Sequence, residues 1–206
     1  LREAGVDRLN ISLDTLRPER FAAITRLGRL EDVRRGLSAA NGAGFLHTKL
    51  NVVLMKGFND DEIPGFVDIA RRHPIEVRFI ELMPIGEGGN ASFLPAETVL
   101  EVCRDLRPAE GSGVARRYRP SGGRGLVGLF EPISHRFCAG CDRIRVTADG
   151  TLKPCLHSDR ELPLRGLHGE DLRWAIQEGI AAKPERHHMT ETGRSEAGRS
   201  MNQIGG

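Results

Sequence analysis

Three segments in the first half of the chain alternate apolar with polar residues, which is the pattern of a β-strand with one buried face. They cover residues 7–14, 48–55 and 76–83. Residues with a helical period lie between them and predict helices over 17–25, 30–43 and 61–72, the last opened by the capping sequence Asn59-Asp60-Asp61. Strands separated by helices at this spacing predict parallel pairing, in a barrel or in a doubly wound sheet.

The polar residues of the first two strands share one face, as Lys49 and Asn51 do in the second. A sheet covered by helices on both sides would be apolar on both faces. One polar face therefore favours strands around a polar lumen over edge strands that face water. We predict the α/β class, with the C-terminal part of a partial (β/α) barrel followed by a small α+β region that holds the chain's clustered cysteines.

The pattern changes after residue 91. The later sequence predicts a helix over 95–106, a loop over 108–124 with a short strand at 115–119, a strand over 125–133, and a final helix over 171–182 on which Trp174 is packed. From residue 183 the composition predicts a flexible tail. The predicted regions are therefore 1–91, 92–182 and 183–206.

Three of the four cysteines, Cys138, Cys141 and Cys155, have the spacing C-x2-C-x13-C. Gly140 allows a tight turn between the first two, and the Asp-Gly pair at 149–150 predicts a hairpin. The return strand would carry the third cysteine back beside the first two. This spacing indicates a metal or cluster site.

Three cysteines do not complete a tetrahedral site, and the spacing alone leaves two alternatives open. In a structural zinc site, His157 or Cys103 would supply the fourth ligand. In an iron–sulphur cluster held by three cysteines, one iron would stay open for chemistry. A disulfide is disfavoured. Cys103 lies on the predicted helix 95–106 and is most simply a buried, small hydrophobic residue.

The charge balance argues against several classes of partner. The chain has 206 residues and a net charge of +2, with both signs well mixed, so no polybasic tail indicates binding to nucleic acid or to a membrane. No apolar run has the length of a spanning helix, and no secretory signal is present. Clustered cysteines suit a reducing compartment, which predicts a cytoplasmic protein. The sequence is compatible with a homodimer.

Five segments in the same order carry a resemblance to a known family: 7–14, 49–62, 78–83, 137–145 and 205–206. Together they resemble the GTP 3′,8-cyclases of molybdenum cofactor biosynthesis, which are radical AdoMet enzymes. The resemblance covers residues 1–206 and corresponds to the second part of the family's barrel and its C-terminal region. The start at Leu1 reads as the last turn of a helix, so we expect this chain to be part of a longer protein.

The resemblance implies two [4Fe–4S] clusters and a radical reaction. A C-x3-C-x2-C motif, absent from these 206 residues, would bind the cluster that cleaves AdoMet. The second cluster would be held by Cys138, Cys141 and Cys155, with its open iron on the guanine of GTP. The 5′-deoxyadenosyl radical would take the ribose 3′ hydrogen, and the resulting carbon radical would attack C8. We expect the chain alone not to cleave AdoMet.

The resemblance also implies binding residues, although it leaves the catalytic acid and base unnamed. Ser12 and Met83 match AdoMet-contacting positions, and GTP-contacting positions match Lys49 and the stretch Arg143, Ile144 and Arg145. Two arginines that share a strand face beside cysteines offer planar donors that suit a triphosphate, although they could instead pair with Asp142 or Asp149.

Two further residue interpretations and two alternatives to the cyclase complete the predictions. His157 is taken as a solvated or outer-shell histidine, and Gly205-Gly206 resembles a tail that the family inserts into its active site. The alternatives to the cyclase are another radical AdoMet enzyme whose auxiliary cluster serves a different substrate, such as a peptide, and a non-enzymatic zinc module.

Overall fold

The computed structural model describes residues 1–45, 47–85, 92–111, 113–189 and 193–204, and for Asn202 it describes the backbone alone. Two compact units divide the chain. The first consists of residues 1–82 and 92–131, and the second of residues 83–91 and 132–206. The predicted boundary after residue 91 therefore does not coincide with the division between the units, since 92–131 fold with the first.

The described part of the first unit contains one six-stranded sheet in the order β1-β2-β3-β6-β5-β4. Strands β1, β2, β3 and β6 are parallel, and β5 and β4 continue the sheet antiparallel. The predicted α/β class with parallel strands is confirmed, and the arrangement is compatible with a partial barrel. The strands are β1 (Asn10–Ser12), β2 (Lys49–Leu54), β3 (Glu76–Glu81), β4 (Leu106–Ala109), β5 (Arg116–Pro120) and β6 (Leu126–Phe130).

Four helices of this unit are α1 (Pro18–Thr25), α2 (Leu30–Gly42), α3 (Ile63–Arg72) and α4 (Thr98–Val102). A 3-10 turn, Asp60–Glu62, precedes α3. The prediction that Asn59 caps this helix is wrong, because its amide makes no capping bond. It instead donates to the backbone oxygens of Asp14 (2.7 Å) and Val53 (2.8 Å), which fastens the loop after β2 to the loop after β1.

Burial alternates along β2 and β3 as the sequence predicts. Leu50, Val52 and Leu54 are fully buried, whereas the residues between them are half-buried. Helix α3 covers this apolar face, and its Phe66 meets Phe79 of β3 edge to face with ring centroids 6.2 Å apart. Burying side chains of this size stabilises the fold by about 1.5–3 kcal/mol each. The opposite face of the same strands carries the polar residues.

The region between β3 and β6 differs from its prediction. Helix α4 is shorter than the predicted helix 95–106, because the chain leaves it at Cys103 and Leu106 already begins β4. Part of the predicted loop 108–124 belongs to the antiparallel pair β4–β5. Cys103 is 9% exposed and lies in the apolar core, which confirms its interpretation as a small hydrophobic residue.

The second unit contains a small antiparallel sheet of β7 (Arg145–Val146), β8 (Thr151–Lys153) and β9 (Leu162–Pro163), with helices α5 (Gly169–Ala181) and α6 (Met201–Ile204). The predicted hairpin is confirmed: Gly150 has φ +81° between β7 and β8, a conformation that favours glycine.

Helix α5 approaches β8 closely through Gly179, where an added Cβ would stand 2.1 Å from a methyl carbon of Leu152. The prediction that Trp174 is packed is wrong, because this side chain is 66% exposed. Ala175 and Gly179 are buried one turn apart on the inner face of α5. Trp174 is displaced from that face by about 100° around the helix axis.

Residues after 183 make specific contacts where the structure describes them, whereas their composition predicted a flexible tail. Met189 and Ile204 are 3% and 1% exposed. The predicted terminal pair Gly205-Gly206 lies outside the described residues. Within the described parts of the chain, no helix combines the length and the apolar character needed to cross a membrane.

Candidate functional site

Two of the predicted ligands lie on one tight turn of the second unit. A 3-10 turn, Cys138–Gly140, is closed by the backbone N–H of Cys141, which donates to the carbonyl of Cys138 at 3.1 Å. Cys155 follows β8 by two residues. All three cysteines are free thiols and half-buried, so none of them is consumed in a disulfide.

The three predicted ligands are not assembled into a metal-binding group in this structure. Among the residues that it describes, no set of three or more His, Cys, Asp or Glu side chains is arranged to hold a metal ion. The chemistry of the donors nevertheless fits an iron–sulphur cluster, since three free thiols on one hairpin are the ligands such clusters take.

His157 is buried rather than solvated, so this part of its interpretation is wrong. It is 7% exposed, and its Nδ1 lies 3.3 Å from the Ser195 hydroxyl. Its ring meets that of His187 edge to face at 5.3 Å, and His187 Nε2 donates to the carbonyl of Pro132 at 2.7 Å. Burial, followed by the charges of His187 and Arg145, lowers the pKa of His157 to about 4.

The two candidate phosphate-binding arginines differ in their surroundings. Arg145 begins β7 and is half-buried, whereas Arg143 precedes the strand and is exposed, as is Ile144 at 36%. Burial, followed by the charge of Arg143, lowers the pKa of Arg145. Asp149, one of the predicted alternative partners, accepts a hydrogen bond from Arg199 at 2.9 Å. The two arginines are therefore close enough for the charge of Arg143 to act on Arg145.

A buried charge network in this hairpin was not predicted. Lys153 is fully buried, and its ammonium donates to the carbonyl of Ser158 at 2.8 Å and to Glu161 at 3.1 Å. Arg199 donates to both oxygens of the same carboxylate, each at 2.8 Å. This network joins the C-terminal residues to the hairpin. No sequence pattern indicates it, because Arg199 lies 38 residues beyond Glu161 in the chain.

The first unit carries a second group of cations, on the polar face of its sheet. Lys49 stands beside Glu76 in the β2–β3 register, and Arg78 stands beside Asn51. Burial, followed by the charge of Arg78, lowers the pKa of Lys49. Glu76 is the acceptor for Arg78 (2.6 Å) and also lies 3.5 Å from Arg117, and all three side chains are at least 83% buried.

Arg78 was missed as a candidate, although the alternation of residues 76–83 places it on the same face as Glu76. The Oδ1 atom of Asn51 is buried on this face without a hydrogen-bond partner among the described residues. A cavity of about 180 Å³ opens at the amino ends of β2, β3 and β6, and Lys49 and Glu76 line it. Buried cations that outnumber carboxylates make this face a candidate anion site.

The candidate AdoMet positions belong to different units. Ser12 ends β1 and is the register partner of Asn51, whereas Met83 belongs to the second unit. Close to Ser12, the carboxylate of Asp14 accepts a hydrogen bond from the backbone N–H of Val53 at 2.8 Å, and burial raises the pKa of Asp14 despite that bond.

The first unit thus has a parallel α/β sheet with cations on one face, and the second has a hairpin with three free thiols, a combination compatible with an enzyme of the radical AdoMet class. Two families match the chain in agreement with this: the Radical SAM superfamily over residues 1–70 and Molybdenum Cofactor Synthesis C over residues 75–189.

Curated relatives identify the family more narrowly. The GTP 3′,8-cyclase of Heliobacterium modesticaldum is 45% identical over 222 residues, which cover 100% of this chain and 68% of the relative. Those of Alkaliphilus oremlandii and Moorella thermoacetica are 43% and 44% identical, over 100% of this chain and 67% of each relative. The chain belongs to the GTP 3′,8-cyclase family of radical AdoMet proteins, as the sequence motifs predicted.

Proposed function

We propose that the 206 residues of this chain supply the substrate-binding part of a radical AdoMet GTP 3′,8-cyclase in molybdenum cofactor biosynthesis. One observation carries the proposal: a single hairpin bears three free thiols with two arginines between them. In a member of this family, such a hairpin can hold a cluster and the phosphates of a nucleotide together.

Cys138, Cys141 and Cys155 are the residues that would hold a [4Fe–4S] cluster. Such a cluster, when bound, supplies one iron without a protein ligand, on which the guanine can be held. The proposed cluster is supported by its candidate ligands, since the three thiols are free and half-buried. The zinc alternative needs a fourth ligand, and because Cys103 lies in the apolar core of the first unit, that alternative depends on His157.

Arg143 and Arg145 would bind the triphosphate, because planar guanidinium groups match phosphate oxygens with two parallel bonds. Ile144 would line the same stretch. The resemblance assigns Lys49 a contact with GTP, and we add Arg78 as a cation on the same sheet face. Arg78 already has the carboxylate of Glu76 as a partner, so the cost of an unpaired, partly buried cation supports the role of Lys49 alone.

AdoMet would contact Ser12 and Met83. The C-x3-C-x2-C motif that binds the AdoMet-cleaving cluster in this family has no counterpart in the sequence, which has cysteines at 103, 138, 141 and 155 only. We therefore expect no 5′-deoxyadenosine when the purified chain is incubated with AdoMet and a reductant. Detection of that product with this chain would contradict the expectation.

Anaerobic reconstitution with iron and sulphide tests the cluster. We expect about four irons per chain, the content of one [4Fe–4S] cluster, with loss of most of that iron in Cys155→Ser. Cys103→Ala is the matched control and should keep its iron, because Cys103 lies in the core. One zinc per chain without cluster absorbance would favour the zinc module instead.

Titration of the reconstituted protein with GTP tests the substrate. We expect GTP to change the EPR spectrum of the reduced cluster, and the change should need a higher GTP concentration in Arg145→Gln. A cluster whose spectrum does not respond to GTP would favour a radical AdoMet enzyme that acts on another substrate.

A further inference from the structure

The side chain of Lys183 joins two parts of the cysteine hairpin. This residue lies two positions beyond the end of α5, and it is half-buried. Its ammonium donates to the carbonyl of Arg143 at 2.6 Å and to the carbonyl of Pro154 at 3.1 Å. The longer distance lies within the ordinary range of N–H···O hydrogen bonds, and the other is slightly shorter.

These two carbonyls belong to the arms that carry the candidate ligands. Arg143 follows Cys141 by two residues, and Pro154 immediately precedes Cys155. The β7–β8 ladder pairs Val146 with Leu152 and Arg145 with Lys153, and it extends no further toward the cysteines. The ammonium of Lys183 therefore continues the connection between the arms beyond the last backbone pair, where the thiols lie.

We propose that Lys183 is a positioning residue for the three-cysteine site. It holds the two arms at a fixed separation, and it places one positive charge on the backbone carbonyl directly before Cys155. The proposal rests on the function proposed above, since it assigns a role toward the same cluster. Groups that position the metal ligands without touching the metal affect both how tightly the metal is retained and its reduction potential.

Lys183→Met removes both hydrogen bonds and the charge while keeping an unbranched side chain. After reconstitution we expect weaker retention of iron in competition with a chelator, by roughly the 10- to 100-fold loss of metal affinity that follows removal of outer partners of metal ligands. We also expect a lower reduction potential, because the positive charge that favours the reduced cluster is lost. EPR-monitored redox titration measures the second effect.

Two variants separate this role from a general loss of stability. Lys183→Arg keeps the charge and can donate to both carbonyls, so it should restore iron retention and the potential toward the wild-type values. Lys56→Met is the matched control on an exposed lysine of the first unit, and it should change neither quantity. Wild-type retention and potential in Lys183→Met would overturn the proposal.

Hydrogen exchange on the metal-free chain distinguishes failure of this inference from failure of the proposed cluster. We expect the amides of β7 and β8 to exchange faster in Lys183→Met than in the wild type, because the two hydrogen bonds through which Lys183 connects the arms are missing. If the wild-type chain takes up no iron, the proposed cluster is wrong. If exchange is also unchanged in Lys183→Met, the proposed connection between the two arms through Lys183 is wrong as well. Faster exchange without iron uptake supports that connection without the cluster.

Discussion

The two units of this protein differ in what stabilises each of them internally. The first is built on a parallel sheet with a continuous apolar core, in which residues such as Val52 and Phe79 are fully buried. In the second, strands of two or three residues support few apolar contacts, and the buried set includes Lys153, His157 and His187.

This difference has a physical reason in size. A smaller unit buries a smaller fraction of the surface of its chain, so its apolar core offsets less of the conformational entropy and leaves more for other interactions to contribute. The second unit has such charges in the contacts of Lys153, Glu161 and Arg199. The region with the weaker apolar core is also the one that carries the cysteines, which agrees with the proposal that a cluster completes it.

The largest effect should come from emptying the core of the first unit. Phe79→Ala removes a fully buried ring that contacts Phe66, and we expect a loss of about 3–5 kcal/mol in the free energy of unfolding. Urea denaturation measures it. Leu27→Ala is the control, because Leu27 is 96% exposed and should leave the midpoint unchanged. A loss below about 1 kcal/mol for Phe79→Ala would argue against apolar burial as the main force in this unit.

The next effect concerns a buried carboxylate. Glu62 accepts hydrogen bonds from the hydroxyl of Thr15 (2.7 Å), the backbone N–H of Leu16 (2.6 Å) and the guanidinium of Arg20 (2.7 Å). Glu62→Ala should cost about 1.5–3 kcal/mol in unfolding free energy, because the donors of Thr15 and Leu16 would lose their charged acceptor, whereas Arg20 would keep Asp61. Glu31→Ala, on a side chain that is 69% exposed, is the comparison. Equal costs would show that the buried network contributes no more than a surface charge.

Two glycines, one in each unit, test how each unit tolerates added volume. An added Cβ at Gly125 would meet the backbone oxygen of Ile75 at 2.2 Å, whereas at Gly179 it would meet a methyl carbon of Leu152 at 2.1 Å. Gly125→Ala should therefore destabilise by about 1–3 kcal/mol or more, and Gly179→Ala by less, since a leucine can change rotamer while a sheet backbone cannot. Thermal unfolding compares the two, and the reverse order would contradict this reasoning.

The smallest effect should be the pH dependence of the second unit's charge network. The hydrogen bond from Arg199 is the largest cause of the lowered pKa of Glu161. A carboxyl with a lowered pKa in the folded state adds stability above its ordinary pKa, and this stability is lost as the pH falls through the lowered value. We expect the amide protection factors of residues 193–204, which correct for the slower intrinsic exchange in acid, to be lower in acid than at pH 7.

Arg199→Gln should weaken that pH dependence, because the neutral amide no longer holds the pKa of Glu161 below its ordinary range. Hydrogen exchange by mass spectrometry at several pH values measures it. The control is Arg173→Gln on the exposed side of α5, where the arginine is 70% exposed. An Arg199→Gln variant that keeps the full pH dependence would show that another group is responsible.

Elements with strong local patterns were predicted well. Alternation located β2 and β3, and the Asp-Gly pair located the hairpin of β7 and β8. Elements that depend on distant partners were not. Strand β4 lies where the sequence, with its Pro108, indicated a loop, because its pairing with β5 is settled by tertiary contact and not by local preference. The prediction that Trp174 is packed was wrong for a related reason. Small residues line the inner face of α5, and the large side chain of Trp174 lies on a more exposed side of the helix.

The candidate site divides in the same way. The sequence located its thiols and cations, including Cys138, Cys141, Cys155, Lys49 and Arg145. It did not indicate Arg78, whose position beside Asn51 follows from the pairing of β2 with β3. Nor did it indicate Lys183, which donates to the carbonyls of Pro154 and Arg143, 29 and 40 residues earlier in the chain. Contacts of this kind join residues with no local relation.

The sequence by itself determined the family, the parallel α/β class and the identity of the candidate ligands, because motifs and periodicity are written in neighbouring residues. Only the tertiary structure decided which polar groups become buried and what they meet, as with His157 beside His187 and Lys153 on Glu161. The physical reason is that burial makes an unpaired charge or donor costly, so each must find a partner wherever the folded chain brings one.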